Sequence, residues 1–255
     1  METLFTGQNH IKLIECASVN TYAMDLIKSQ EIGEGTLVSS LKQTNGRGQM
    51  NTVWKSEEGK NLTISIIYKP KFLEVKNIFA LSMAVSLGLY DVLSDLLNQK
   101  HDIKIKWPND IMVNKKKICG ILIENTFRQS KIDYSIIGIG LNVNQEFFDE
   151  GVGQATSLKK CIGKETPLKD VLELLCLKIE KRYLQLRNGN LQEIKNTYLS
   201  RLYLFNTVAM FSSPDNQKIN GTITDVGTDG VLKFKHTSSE VCFFRNKELI
   251  FLQEN

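Results

Sequence analysis

Histidine is scarce in this sequence and cysteine is never paired, and each shortage argues against a class of site. The three histidines, His10, His101 and His236, have no companion at the spacing of a zinc site or of a Ser-His-Asp triad. The five cysteines are scattered along 255 residues without a Cys-x-x-Cys pair, so neither a zinc ribbon nor a disulfide framework is expected. Single, scattered thiols are typical of a reducing compartment, and we therefore expect a cytoplasmic protein.

The common glycine-rich phosphate-binding motifs are also missing. No segment matches the P-loop pattern G-x-x-x-x-G-K-[ST], so a bound nucleotide must be held in another way. Residues 138–143, Gly-Ile-Gly-Leu-Asn-Val, begin like a dinucleotide-binding fingerprint but lack its third glycine. We therefore expect neither of these two modes of nucleotide binding.

Uninterrupted apolar runs and strong clusters of charge are absent as well. Residues 1–15 lack the apolar core of a signal peptide, and serines and aspartates interrupt the most apolar long segment, residues 78–97. We therefore expect no membrane span. The net charge is +4, with lysine and arginine spread along the chain, so nucleic acid is not an expected partner and a small anion or an acidic protein is favoured.

What is present is the composition of a globular protein, with 42% apolar and 24% charged residues. A chain of 255 residues favours one main core with a small appendage. From about residue 205 the sequence changes to short, closely spaced β-prone runs, with an Asp229-Gly230 hairpin signal between two of them. We therefore predict two domains, residues 1–204 and a small antiparallel barrel at residues 205–255.

Apolar periodicity in the first domain predicts an α/β fold, with a central mixed β-sheet flanked by helices. Residues 61–68 alternate strictly between apolar and polar, which predicts a half-buried strand. Apolar residues from Ile78 to Leu96 recur at helical steps, which predicts a long amphipathic helix covering the sheet. Further strands are predicted at residues 36–41, 103–107, 111–113, 118–123 and 134–143, and further helices at residues 20–29, 168–186 and 191–202.

The most informative segment is residues 106–124. It contains Lys-Trp-Pro-Asn-Asp at residues 106–110 and Lys-Lys-Lys-Ile-Cys-Gly-Ile-Leu-Ile-Glu at residues 115–124. The pattern predicts three short strands joined by tight turns, which brings Asn109, Asp110 and Lys117 to neighbouring strand ends. An amide, a carboxylate and an ammonium gathered there suit a small anionic ligand.

Three other motifs accompany this segment, and together they resemble the biotin protein ligases. Residues 18–21 read Ser-Val-Asn-Thr, residues 43–54 form a polar loop with Gly-Arg-Gly at residues 46–48, and residues 140–142 read Gly-Leu-Asn. The resemblance implies a catalytic domain of the class II aminoacyl-tRNA-synthetase and biotin-ligase type, followed by an SH3-like β-barrel. It also implies the single-function form, which lacks the N-terminal DNA-binding domain of the repressor form.

The resemblance implies an ATP-dependent ligase. Such an enzyme joins biotin to ATP as biotinyl-5′-AMP and then transfers biotin to a lysine of a biotin carboxyl carrier protein, as a monomer or a homodimer. Biotin, ATP and Mg²⁺ are therefore the implied small molecules. Two alternatives stay open: a lipoate ligase, which shares the fold and the adenylation chemistry, and a non-catalytic biotin sensor or regulator. The loop at residues 46–48 and the Lys-Trp-Pro-Asn-Asp segment favour biotin over lipoate. Lys117, Asp110 and the expected absence of a DNA-binding segment favour an enzyme over a regulator.

The resemblance also implies roles for individual residues. Biotin is expected to lie against Ser18, Val19, Asn20, Gln43, Arg47, Gly48, Gln49, Lys117 and Gly120, and ATP against Lys106, Asn109, Lys117 and Asn142. The loop around Arg47 is expected to close over biotin and its adenylate. Lys117, Arg47 and Asp110 are the expected catalytic residues: the two cations neutralise charge that develops on the phosphoryl oxygens, and Asp110 holds magnesium.

The chain departs from the family's pattern in two places. Many relatives carry more arginines after the first Gly-Arg-Gly, where this chain has Gln-Met-Asn-Thr at residues 49–52. We therefore expect fewer charge contacts to the adenylate. Val19 stands where a hydroxyl residue is common, so one ligand hydrogen bond, worth about 0.5–1.5 kcal/mol, is missing or replaced.

Several of these residues also have a purely structural explanation. Ser18 and Asn20 could cap the helix that follows them. Asn109 and Asp110 are favoured turn formers in any protein. Trp54 and Trp107 are expected to be packing groups, since aromatic side chains mostly supply buried area.

Overall fold

The computed structural model describes residues 2–49, 52–97, 99–149, 154–213, 215, 217–246 and 248–252. The first sheet has seven strands in the order β1-β2-β3-β7-β6-β5-β4. Its strands are β1 (His10–Cys16), β2 (Thr36–Gln43), β3 (Leu62–Tyr68), β4 (Ile103–Lys106), β5 (Asp110–Val113), β6 (Lys116–Arg128) and β7 (Lys131–Leu141). The helices are α1 (Val19–Ser29), α2 (Phe79–Leu96), α3 (Leu158–Ile162), α4 (Leu168–Arg187) and α5 (Leu191–Arg201).

Strand β1 is the part of this sheet that the sequence did not predict. It lies at the sheet edge and pairs in parallel with β2, while the other pairs of the sheet are antiparallel. Ile14 in its middle is exposed, so the strand carries little of the buried apolar pattern on which prediction depends. Residues 10–16 therefore form a strand mainly because they pair with β2, and not because of their own apolar pattern.

The prediction that residues 61–68 form a strand is confirmed, but the prediction that it is half-buried is wrong. Every residue of β3 is buried. One face, with Ile64 and Ile66, packs in the large core beneath α2, and the other face, with Ile67, packs against α1. Helices on both sides of the sheet therefore bury the polar positions of the alternation as well as the apolar ones.

The long helix predicted from residue 78 to residue 96 is confirmed as α2. It is buried on more than one side, because α4 and α5 pack against it as well as the sheet. Gly88 permits the contact with α4, since a Cβ there would lie 2.9 Å from the Cα of Ile179. By length and composition alone the helical segment Val75–Leu96 could cross a membrane, yet most of it is buried inside the protein, as in a core helix.

The C-terminal region forms a five-stranded antiparallel sheet in the order β11-β10-β9-β8-β12. Its strands are β8 (Val208–Ser212), β9 (Lys218–Val226), β10 (Leu232–His236), β11 (Val241–Phe244) and β12 (Ile250–Phe251). They confirm the short, closely spaced β-prone runs predicted from about residue 205, and the predicted Asp229-Gly230 turn joins β9 to β10. Phe211 and Phe234 meet edge to face in its core, with ring centroids 5.3 Å apart.

The predicted fold class is confirmed: a central mixed sheet flanked by helices precedes a small C-terminal β-structure. The division between residues 204 and 205 stays a prediction. The two sheets meet beside residues 106–110, where Trp107 Nε1 donates to the Gly230 carbonyl at 3.1 Å. The C-terminal sheet therefore lies against the most informative segment of the sequence.

Candidate active site

A cavity of about 870 Å³ opens on the α1 side of the central sheet. Its floor is the middle of β6 and β7, where Gly120 pairs with Gly140 and Leu122 pairs with Gly138. A Cβ at Gly138 would lie 2.2 Å from Asn20 Oδ1, and a Cβ at Gly140 would lie 2.3 Å from the Trp54 ring. The glycines that resembled a truncated dinucleotide fingerprint therefore make room for two side chains of the cavity wall.

All the residues to which the sequence assigns a binding or catalytic role line this one cavity. They are Ser18, Val19, Asn20, Gln43, Arg47, Gly48, Gln49, Lys106, Asn109, Asp110, Lys117, Gly120 and Asn142. They come from β1–α1, the loop after β2, β4 to β6 and the end of β7, so the central sheet gathers residues that are distant along the chain. Met50 and Asn51, which belong to the predicted lid loop, lie outside the described residues.

One end of the cavity carries an ion pair. Lys117 Nζ lies 2.7 Å from Asp110 Oδ1, and both side chains are partly buried. The tight turn predicted before Lys117 is formed by Asn114 and Lys115, which both have positive φ and join β5 directly to β6. The β5–β6 pairing register shifts between Ile111 and Met112. Asp110 and Lys117 therefore lie on opposite sides of an irregularity in the strand pairing.

A second cation stands beside this pair. Lys106 is opposite Asp110 in the β4–β5 ladder. Burial lowers the pKa of Lys106, Asp110 opposes this change and Lys117 adds to it. Lys106 Nζ also lies 5.1 Å from the centroid of the Phe251 ring, which belongs to the C-terminal sheet. Two ammonium groups and one carboxylate give this end of the cavity a net positive charge, which favours an anionic ligand.

The two asparagines predicted for the nucleotide side are fixed by backbone contacts. Asn109 Nδ2 donates to the Ile121 carbonyl at 3.0 Å, and Asn142 Nδ2 donates to the Thr156 carbonyl at 3.0 Å. Asn109 therefore also has a structural role, because its side chain ties the turn at residues 107–109 to β6. Both side chains border the cavity next to the charged end.

The opposite end of the cavity is lined by the start of α1. Ser18 is the N-cap residue of this helix, but its side chain makes no capping hydrogen bond. The Val19 backbone N–H donates to Gln43 Oε1 at 2.9 Å. Asn20 lies inside the helix and donates to the Leu122 carbonyl and to Glu124 Oε2, so the capping explanation fails for its side chain too. This end offers uncharged hydrogen-bonding groups on a rigid support.

Arg47 is not brought beside Lys117 and Asp110. Its Nη2 lies 2.7 Å from Glu124 Oε1, and its Nη1 lies 3.4 Å from Thr21 Oγ1, at the α1 end of the cavity. Its loop turns back on itself, with a bridge between Arg47 and Val53. The Arg47 guanidinium, paired with Glu124, therefore lies at the end of the cavity that the start of α1 lines.

Comparison with known proteins agrees with this geometry. The profile described as the biotin/lipoate A/B protein ligase family matches residues 13–142. The chain belongs to this family. It is 37% identical over 186 residues to the bifunctional ligase/repressor BirA of Bacillus subtilis, which covers 72% of this chain and 56% of that relative. The chain thus spans little more than half the length of that relative.

Two further relatives match more of their own length. The biotin–acetyl-CoA-carboxylase ligase of Mycobacterium tuberculosis is 27% identical over 201 residues, 78% of this chain and 73% of that relative. The solved structure of the biotin protein ligase from Aquifex aeolicus in complex with biotin and ATP superposes with a TM-score of 0.76 at 26% identity, covering 95% of this chain and 97% of that one. The similarity of fold to this ligase therefore extends over nearly the whole chain.

Sequence reasoning missed several residues of the site in this family member. Trp107 is buried as expected but also borders the cavity, as Trp54 does. The centroid of the Trp54 ring lies 5.6 Å from Lys117 Nζ, and the buried Nε1 of Trp54 has no hydrogen-bond partner among the described residues. No sequence pattern marks Asn246, although its Nδ2 donates to Gln49 Oε1 at 2.6 Å. Glu124 carries the one available signal, because it is a carboxylate directly after the apolar run of residues 118–123.

Proposed function

We propose that this protein is a biotin–protein ligase. It uses ATP to convert biotin to biotinyl-5′-AMP and transfers biotin to a lysine of a biotin carboxyl carrier protein. The observation that carries this proposal is the single cavity that has neutral hydrogen-bonding groups at one end and the Lys117–Asp110 pair at the other. Biotin has the same two-ended chemistry, with a ureido ring at one end and a carboxylate at the other.

In the first step, a biotin carboxylate oxygen attacks the α-phosphorus of ATP and pyrophosphate leaves. Two anionic groups must approach each other, and more negative charge develops on the phosphoryl oxygens. Lys117 holds the carboxylate and the α-phosphate together, and Lys106 adds positive charge beside them. Asn109 and Asn142 line the nucleotide side. Arg47 contributes to catalysis from its loop, which closes over the adenylate.

Magnesium fits the charged end of the cavity. Apart from its ion pair with Lys117, Asp110 Oδ1 is buried without a hydrogen-bond partner among the described residues, and carboxylate oxygen is the ligand that Mg²⁺ prefers. Within those residues no group of three or more His, Cys, Asp or Glu could hold a resident metal. The ion is therefore expected to arrive with the nucleotide, whose phosphate charge it would neutralise.

In the second step, the lysine ε-amine of the carrier attacks the carbonyl of the mixed anhydride. An amide bond forms and AMP leaves. Until the carrier arrives, water must be kept from the same carbonyl, and the loop at Arg47, Gly48 and Gln49 is placed to exclude it.

The remaining assignments follow from the same proposal. We place the catalytic domain at residues 1–204 and an SH3-like barrel at residues 205–255, whose Phe251 helps to enclose Lys106. All five cysteines are free thiols, which favours the cytoplasm. The protein is expected to act as a monomer or homodimer on a carrier protein, without nucleic acid or membrane.

Lipoate is the main competing substrate, because the family description includes it. Its dithiolane ring has no N–H or C=O groups, so it would leave the remaining hydrogen-bonding capacity of Ser18, Asn20 and Gln43 without a ligand partner. Incubation with ATP and Mg²⁺ and either biotin or lipoate, followed by measurement of pyrophosphate release, separates the candidates. Release with biotin alone supports the proposal, release with lipoate alone supports a lipoate ligase, and release with neither supports a non-catalytic sensor.

A further inference from the structure

Glu124 contacts two parts of the site without being one of the cavity-lining residues. It follows Gly120 and Leu122 on the cavity side of β6, since alternate residues of a strand share a face. One carboxylate oxygen pairs with Arg47 of the loop, at 2.7 Å from Nη2. The other accepts from Asn20 Nδ2 of α1, at 2.9 Å. A single carboxylate therefore joins the loop to the helix that forms the neutral end of the cavity.

Glu124 is separated from the charged end. It lies seven positions after Lys117 on β6, but Lys117 Nζ reaches toward Gly120, where a Cβ would lie 3.3 Å from it. Gly120 is four positions from Glu124, roughly 13 Å at about 3.3 Å per residue. Arg47, while bound to Glu124, is therefore held at the end of the cavity lined by Ser18, Val19 and Asn20, away from the Lys117–Asp110 pair.

Asn20 has little freedom to adopt another orientation. It is 2% exposed, its two amide N–H groups donate to Leu122 O and Glu124 Oε2, and Ser65 Oγ donates to its Oδ1 at 2.6 Å. A Cβ at Gly138 would lie 2.2 Å from Asn20 Oδ1, so this oxygen lies against the cavity floor. One lone pair of Oδ1 is left to accept from a ligand N–H. Glu124 helps to fix which side of the amide faces the ligand.

The contact with Arg47 has a different character. The exposed fractions of the Arg47 and Glu124 side chains are 44% and 22%, and an ion pair this exposed is weak on its own. Such a weak ion pair is sufficient to favour the closed position of a loop that must open for substrates and close over an intermediate.

We propose that Glu124 is a positioning residue for the adenylation reaction, orienting Asn20 toward the ureido group of biotin and holding Arg47 so that its loop closes over the intermediate. This inference rests on the proposed function. Glu124 touches neither reacting group; it acts through the two side chains that it holds. The two contacts predict two separable effects, one on biotin affinity and one on the lifetime of the bound adenylate.

Two substitutions separate these effects. In Glu124→Gln the amide oxygen still accepts from Asn20, but the negative charge that holds Arg47 is gone. We expect the bound adenylate to be lost about fivefold faster, while biotin affinity measured by calorimetry changes less than about twofold. Glu124→Ala removes both contacts and should also weaken biotin binding by about tenfold or more. The KM for ATP should stay within about twofold of the wild type in both variants, because Lys117 and Asp110 are distant.

Asp133→Asn is the matched control. It removes the same charge from the same pair of strands and breaks an ion pair with Arg128, 3.3 Å away, outside the residues that line the cavity. Its adenylate lifetime and biotin affinity should equal those of the wild type. Unchanged values of both quantities in Glu124→Gln and Glu124→Ala would overturn the proposal.

Trypsin digestion of the ligand-free protein tests the Glu124–Arg47 contact without any activity. Trypsin must take the Arg47 side chain into its own pocket, so pairing with Glu124 should slow cleavage after Arg47. We expect faster cleavage at this bond in Glu124→Gln than in the wild type and in Asp133→Asn. Equal cleavage rates would refute the role of Glu124. Absence of adenylate formation by the wild type would instead refute the proposed function, and the digestion result would still decide whether Glu124 holds the loop.

Discussion

Lys117 Nζ and Asp110 Oδ1 lie 2.7 Å apart in a partly buried setting, where charges are screened less than at the surface. Lys106 adds a second cation, whose lowered pKa reflects burial first, with Lys117 adding to it and Asp110 opposing it. At the scale of single residues, this small group has the charge needed to bring a carboxylate and a phosphate together. The opposite end differs: Ser18 and Asn20 offer neutral hydrogen-bonding groups there, and Glu124, which accepts from Asn20, is paired with Arg47.

Replacing Lys117 tests this view of the charged end. Lys117→Ala should reduce biotin-dependent pyrophosphate release by a hundredfold or more, because a preorganised electrostatic donor contributes about 3–4 kcal/mol to the transition state. Lys116→Ala is the control, since Lys116 is the adjacent, exposed lysine of the same turn. A Lys117→Ala enzyme as fast as Lys116→Ala would show that another group neutralises the phosphoryl charge.

His10 gives a residue-scale prediction about stability. Burial, and to a smaller extent Lys12, lower the pKa of His10 from its ordinary value of 6.5. The unfolded chain then binds this proton more readily, so the free energy of unfolding should fall as pH is lowered from 6.5 through the pKa of the folded state. Urea unfolding between about pH 7.5 and about pH 5 should show a smaller loss of stability for His10→Asn than for the wild type. Identical pH dependence in the two proteins would contradict this assignment.

At the scale of elements, the middle of β6 and β7 makes the cavity. Gly120, Gly138 and Gly140 face the same space, and α1 supplies Asn20 to fill part of it. Larger residues at these positions would occupy the floor on which a ligand must lie. The aliphatic residues on the opposite face of the same strands pack in the core, so the sheet is both the support and one wall of the site.

Gly138→Ala tests the floor. Its Cβ would lie 2.2 Å from Asn20 Oδ1, so Asn20 must move and lose buried hydrogen bonds. Each lost bond costs about 1–3 kcal/mol, and calorimetry should show biotin affinity lowered by about tenfold or more. Gly33→Ala is the control, because its nearest new contact is Thr36 Oγ1 at 3.9 Å. Wild-type biotin affinity in Gly138→Ala would mean that the ligand does not depend on the position of Asn20.

Most elements could be predicted from local patterns, because helical periodicity, strand alternation and the Asp229-Gly230 turn are all encoded within a few residues. Burial of both faces of β3 could not be predicted, since it depends on helices that lie elsewhere in the sequence. The same limit applies to the edge strand β1. In the site, family motifs identified the cavity residues, but they did not predict that Arg47 pairs with Glu124, because that contact joins residues 77 positions apart.

At the scale of the whole molecule, the two sheets jointly enclose the charged end of the cavity. Lys106 Nζ lies over the Phe251 ring, and Trp107 Nε1 donates to the Gly230 carbonyl. Asn246 Nδ2 donates to Gln49 Oε1 of the loop. The C-terminal sheet therefore contacts both the nucleotide side and the loop that is expected to cover the intermediate. Loss of this sheet should impair the proposed ligase reaction, even though Ser18, Val19 and Asn20 at the other end of the cavity belong to the start of α1.

Asn246→Ala tests this contact between the two parts of the molecule. It removes the hydrogen bond to Gln49, so the loop should open more often and the bound adenylate should be lost a few times faster, as for the loss of about 1 kcal/mol. Biotin affinity should be unchanged. Asn220→Ala, on an exposed position of the same sheet, is the control and should keep the wild-type lifetime. A normal lifetime in Asn246→Ala would remove the C-terminal sheet from control of the loop.

The most direct test of the proposed activity is the mass of a biotin carrier domain after incubation with this protein, ATP, Mg²⁺ and biotin. We predict that the carrier gains the mass of one biotin less one water, that a carrier with its acceptor lysine replaced by arginine gains none, and that Lys117→Ala slows the gain by at least about a hundredfold. An unmodified carrier under these conditions, or modification only when lipoate replaces biotin, would contradict the assignment.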